Sequence, residues 1–171
     1  GLARRLLILL PLLLGALGAW KLLLRSGSVR GRAALLAAYG LNPAVLNAMA
    51  EGRLQALVVY GAAPWLIRRV ATGAGIAPVA TDAAEPDRRL GHLAGTALLI
   101  ALVGAITPLG AAILVVATMV LLGIAGARGG GGGRAVVSLL LSTLLAALVL
   151  LPWLVQSVTD GDLASLTGMW V

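Results

Sequence analysis

The sequence predicts an all-α, polytopic membrane protein. It reads as about six membrane-embedded helices, one pair of them broken and short, in a portion of a longer chain. Three observations predict this. Sixty per cent of the 171 residues are hydrophobic and only 11% are charged, against about a quarter charged in a typical soluble domain. The mean hydropathy is +1.04. The basic residues stand singly or in pairs between long apolar runs, where they mark helix ends and topology.

A helix needs about 20 apolar residues to cross the hydrocarbon core. The first run, Leu6 to Leu24, meets this, with Pro11 near one end and Lys21 near the other, where it can snorkel. The second, Ala33 to Met49, is interrupted by Asn42-Pro43, and the third, Leu54 to Ile67, is short unless it continues to Ala71. Leu90 to Thr107 ends at Pro108, and Leu109 to Ala127 follows with almost no connection. Ala135 to Val155 is long and uncharged. The whole of 1–171 reads as one transmembrane helical domain, with a solvated cytoplasmic loop over 71–89 and a glycine-rich loop over 128–134. No internal repeat emerges beyond a loose likeness between "LLIALV" and "LLAALV".

Several chemistries are excluded. There is no Cys, so thiol nucleophiles and disulfides are absent, and a single His rules out a histidine metal cluster. No metal and no cofactor is expected. A net charge of +7 suggests nucleic acid, but no basic helix and no aromatic platform accompanies it, so no nucleic-acid partner is expected. The run "ARGGGGGRA" lacks the Lys-Ser/Thr and the preceding strand of a phosphate loop. "TDGD" has the spacing of a calcium loop's first ligands at Asp160 and Asp162 but not the remaining ones. The start at Gly1, apolar almost at once, predicts that the chain begins inside a longer protein. The run from Leu6 after Arg4 and Arg5 also has the look of a signal-peptide core, the lesser of the two readings.

Topology follows from the arginines. If the loops after the first, third and fifth runs face the cytoplasm, they hold Arg25, Arg30, Arg32, Arg68, Arg69, Arg88, Arg89, Arg128 and Arg134. The other side receives Arg53 and an acidic tail. The positive-inside rule favours this orientation, with Arg4 and Arg5 against it. Trp65 then fits the cytoplasmic aromatic belt and Trp153 the outer one, while His92 is an interfacial residue without a special role.

This orientation places "LNPAVLNAMAEGR" (Leu41–Arg53) on the outer face. Pro43 withholds a backbone donor and biases Asn42 away from helical angles. Asn42 can then cap a new helix that Gly52 ends. Asn47 and Glu51, four apart, share one face, and Val45, Leu46 and Met49 the other. Two readings stand. Glu51 and Arg53 are ordinary interfacial charges, or Asn42, Asn47, Glu51 and Arg53 line an outer cleft for a polar or anionic head group. Arg matches phosphate with its planar fork, and a carboxylate can orient a hydroxyl or accept a proton.

The segments "AEGRLQALVVY" (Ala50–Tyr60), "APWLIRR" (Ala63–Arg69) and "LLPWLVQSV" (Leu150–Val158) resemble the central region of large actinobacterial polytopic membrane proteins. Those are similar to GT-C type glycosyltransferases of the cell envelope. The resemblance implies a plasma-membrane, multi-pass protein that takes sugar from a polyprenyl-phosphate donor, with membrane lipid and further subunits or segments as partners. It carries no catalytic residue onto this chain. A transporter or permease subunit and a non-catalytic membrane scaffold are the alternatives.

Overall fold

The computed structural model describes residues 2–23, 28–76, 86–129 and 132–159. Among the described residues there are seven helices and no strand. They are α1 (Leu2–Leu23), α2 (Val29–Gly40), α3 (Pro43–Ala50), α4 (Leu54–Ala74), α5 (Pro86–Ile106), α6 (Pro108–Gly129) and α7 (Gly132–Thr159).

The helix ends are written in the sequence. Ser28 caps α2 by accepting from Gly31 N at 3.2 Å. Asn42, extended at φ −60° and ψ 121°, caps α3 by accepting from Ala44 N at 3.0 Å, with Pro43 at the first helical position. The turn into α4 uses Gly52 at φ 69°. Gly75, at φ 73°, closes α4, where Ile76 N donates to Ala71 O at 2.9 Å and the Ile76 side chain is buried. This is a Schellman ending with its hydrophobic contact. Between α5 and α6 only Thr107 is non-helical. Its hydroxyl accepts from Gly110 N at 3.2 Å and Pro108 begins the next helix.

The helices reach further than the sequence predicts. α4 runs on to Ala74 and α5 begins at Pro86, so residues 71–74 and 86–89 of the predicted loop are helical. α6 continues to Gly129 and α7 starts at Gly132, so residues 128–129 and 132–134 of the predicted glycine-rich loop are helical too. The long apolar helices on either side propagate into these positions, since extending a formed helix is far easier than nucleating one. In α3 the apolar face is Val45 and Ala48, with Met49 partly covered, while Leu46 is half exposed rather than packed inward.

α4 is the central helix, packed against α1, α3, α5, α6 and α7. Leu57 and Leu66 are wholly buried on it. Its main cluster runs through Ile100 and Val103 of α5, Leu114 and Val115 of α6, and Leu139 and Ala146 of α7. A smaller cluster joins Val45 and Ala48 of α3 to Leu57, Ile8 and Leu12. Ser142 of α7, fully buried, donates to Leu93 O of α5 at 3.3 Å.

α1 and α4 run parallel at very close range. Gly15 and Pro11 of α1 meet Gly61, and Gly18 one turn on meets Pro64 and Trp65. A Cβ at Gly61 would stand 2.5 Å from Pro11 O. Three glycines therefore let two backbones touch, the mode of packing that helices use where the solvent is itself apolar.

The outward faces are leucine and valine: Leu98, Leu102, Leu144, Leu148 and Val149 are each more than 60% exposed. Among the described residues, three helical stretches are long and apolar enough to cross a membrane: Val29–Ala50 across the α2–α3 break, Pro108–Ala125 and Gly132–Pro152. Ile8–Leu22 and Leu90–Ile106 are apolar but shorter.

Candidate functional site

The polar stretch folds into two separate places. At the end of α3, Asn47 Nδ2 donates to Glu51 Oε1 at 2.9 Å, and Glu51 Oε2 is ion-paired with Arg53 Nε. Gly52 provides the reversal that brings 51 and 53 together. The Arg53 side chain is 69% exposed and that of Glu51 38%, so the pair sits in high dielectric and is worth about 0–1 kcal/mol. Asn42 lies at the other end of α3 and serves as its cap. Asn47, Glu51 and Arg53 are thus brought together, and Asn42 is not with them.

A second polar cluster lies between α2 and α4, around Tyr60, which by residue type alone reads as a membrane-interface anchor. The rings of Tyr39 and Tyr60 stack with centroids 4.1 Å apart and planes 19° apart. Each hydroxyl donates to the backbone carbonyl of the other tyrosine, Tyr39 Oη to Tyr60 O and Tyr60 Oη to Tyr39 O. Both carbonyls are four residues before a proline, Pro43 and Pro64. A proline has no N–H to return to the carbonyl four residues back. Tyr39 therefore supplies to α4 the donor that Pro64 withholds, and Tyr60 satisfies a carbonyl in the last turn of α2, where no helical N–H follows. The signal was present as "YGLNP" (Tyr39–Pro43) and "YGAAP" (Tyr60–Pro64), a short repeat.

Trp65 is a fastener between helices. Its indole N–H donates to Leu14 O at 2.8 Å, and Lys21 Nζ stands 5.1 Å from its ring centroid. Beside it lies an apolar groove of about 430 Å³ floored by α4 at Val58 and Gly61, with walls from Leu10 and Leu14 of α1 and Leu102 and Ile106 of α5. A cleft of about 210 Å³ at the start of α5 and α7 is lined by His92, Arg134 and Ser138. A third, of about 180 Å³, is apolar and lies among α5, α6 and α7. None of the three is lined by Asn42, Asn47, Glu51 or Arg53.

The charges divide between two ends. Arg69 lies over Gly95, Gly73 faces His92, and His92 shares a cleft with Arg134. Lys21 over Trp65 and Arg30 at the start of α2 belong to the same end. Glu51 and Arg53 lie at the other, before α4 begins. From Leu54 to Arg69 the helix rises roughly 22 Å. Asp82, Glu85, Asp160 and Asp162 lie outside the described residues. Among those described, no group of acidic, His or Cys side chains fits a metal ion. Compared with protein-family models, curated proteins and solved structures, the chain matches none.

Proposed function

We propose that the chain is a polytopic domain of the plasma membrane, and that it is the membrane-embedded, lipid-contacting part of a lipid-linked-sugar glycosyltransferase or of a protein associated with one. It supplies no catalytic acid of its own from the described residues. The single observation that carries the membrane reading is the separation of surfaces. Leucine and valine cover the outward faces of α1, α5, α6 and α7, while the described charges collect at the two ends. An exposed apolar surface of this extent needs a partner, and a hydrocarbon layer supplies one.

The glycosyltransferase association rests on the resemblance of Ala50–Tyr60, Ala63–Arg69 and Leu150–Val158. The non-catalytic assignment rests on Glu51, which is committed to Asn47 and Arg53 and borders none of the three cavities. A coupled transporter is disfavoured, because such proteins carry ionisable groups at mid-depth. Here the described Lys, Arg, His and Glu side chains lie towards the ends.

The test is donor turnover by the full-length protein carrying Glu51→Gln together with Arg53→Gln. The proposal expects turnover to stay within about twofold of the parent, as for an exposed pair of little energetic weight. A loss on the order of 10²-fold or more is what removing a general acid or base produces. That result would make Glu51 catalytic and overturn the assignment.

A further inference from the structure

We infer that the groove between α1 and α5 binds one anionic glycerophospholipid of the cytoplasmic leaflet, its acyl chain on α4 and its phosphate held by Lys21 and Arg69. This rests on the membrane reading above and adds a ligand class to it.

The groove is a stripe on each of three helices, and the stripes lead to basic groups. On α4, residues 54, 58, 61, 62 and 65 line it, and one turn further the same stripe reaches Arg69. On α1, Leu10, Pro11 and Leu14 line it, and two turns further stands Lys21. On α5, Ile106, Val103, Leu102 and Leu99 line it, and one turn beyond Leu99 is Gly95. Gly95 is the residue over which Arg69 lies: a Cβ there would come within 1.9 Å of Arg69 Nη1. The missing side chain gives the guanidinium its place at the α4–α5 seam.

Lys21 and Arg69 are both exposed. The Glu51–Arg53 ion pair lies at the opposite end. The mouth is therefore cationic and the body apolar, which matches a phosphate attached to a hydrocarbon chain. From Leu54 to Trp65 the floor is about 16 Å long, which suits a single acyl chain better than a long polyprenyl chain. Basic sites between helices on the cytoplasmic side favour anionic head groups, which that leaflet supplies.

The experiment uses the full-length protein in nanodiscs, with acyl-brominated phosphatidylglycerol or phosphatidylcholine at low mole fraction. Bromine quenches nearby indole, and the difference between the parent and Trp65→Phe isolates the signal of Trp65. Two basic groups near a phosphate predict quenching by phosphatidylglycerol at a roughly 30-fold lower mole fraction than by phosphatidylcholine. Lys21→Gln with Arg69→Gln brings the two lipids to parity, and Arg134→Gln, basic at the same end but away from the groove, keeps the preference. Parity in the parent, an unchanged preference in the double variant, its loss in Arg134→Gln, or displacement of phosphatidylglycerol by equimolar polyprenyl phosphate would each overturn the site. Parity in a chain that resists carbonate extraction sinks the site alone, whereas a chain stripped by carbonate sinks the membrane reading beneath it.

Discussion

Gly61→Leu separates α1 from α4. A Cβ at this position meets Pro11 O at 2.5 Å and Pro11 C at 3.1 Å, and both are backbone atoms that no rotamer change can move. The helices must part along the seam that also holds Gly15 and Gly18. Overpacking alone costs about 1–3 kcal/mol. Parting also breaks the Trp65–Leu14 hydrogen bond and exposes the Ile8 and Leu12 contacts with the Val45–Leu57 cluster. Thermal unfolding of the purified protein in detergent should show the loss, and Trp65 emission should shift as its indole N–H loses its acceptor. Gly123→Leu is the control. A Cβ there meets nothing within 4 Å, and its melting temperature should match the parent. Equal melting of Gly61→Leu and the parent would remove the close α1–α4 seam.

The second large effect concerns the tyrosines. Tyr39→Phe leaves Tyr60 O without the donor that replaces the missing N–H of residue 64. An unsatisfied buried acceptor costs about 1–3 kcal/mol. Pro64→Ala gives residue 64 an N–H, which can bond Tyr60 O within the helix. Tyr39→Phe should therefore destabilise strongly when residue 64 is proline and by a small fraction of that when it is alanine. A double-mutant cycle on unfolding free energy measures the coupling. The expected coupling is above about 1 kcal/mol; a value near zero would show that the Tyr39 hydroxyl does not stand in for the N–H that Pro64 lacks.

This pair also shows where a sequence stops being readable. Asn42 as a cap, Pro43 at the first helical position, and Gly52 as the left-handed end were all legible, because each acts within four residues of itself. The all-helical class was legible from composition. The extent of α4 and of α5 was not, since Ala71–Ala74 and Pro86–Arg89 contain helix-compatible residues whose state depends on what they pack against. The Tyr39–Tyr60 exchange joins residues 21 positions apart, and no local rule pairs them. Only the coincidence of two "YG" dipeptides, each with its tyrosine four residues before a proline, hints at a shared role. Likewise, the sequence singled out Glu51 and Arg53 as polar in an apolar setting. It could not show that they would turn towards each other rather than into a cavity, because that depends on the reversal at Gly52. The groove is formed by three helices distant in sequence, and its glycine Gly95 reads as simple packing until Arg69 is seen above it.

The orientation of the bundle is tested most directly by chemical access. The chain contains no Cys, so Glu51→Cys and Arg134→Cys each place a single thiol in it, any cysteine elsewhere in the expressed protein being replaced by serine. In intact cells a membrane-impermeant maleimide should label position 51 and leave position 134 unreacted until the membrane is permeabilised. Labelling of both positions from one side, or of position 51 only after permeabilisation, would contradict a membrane-spanning bundle with its basic end in the cytoplasm.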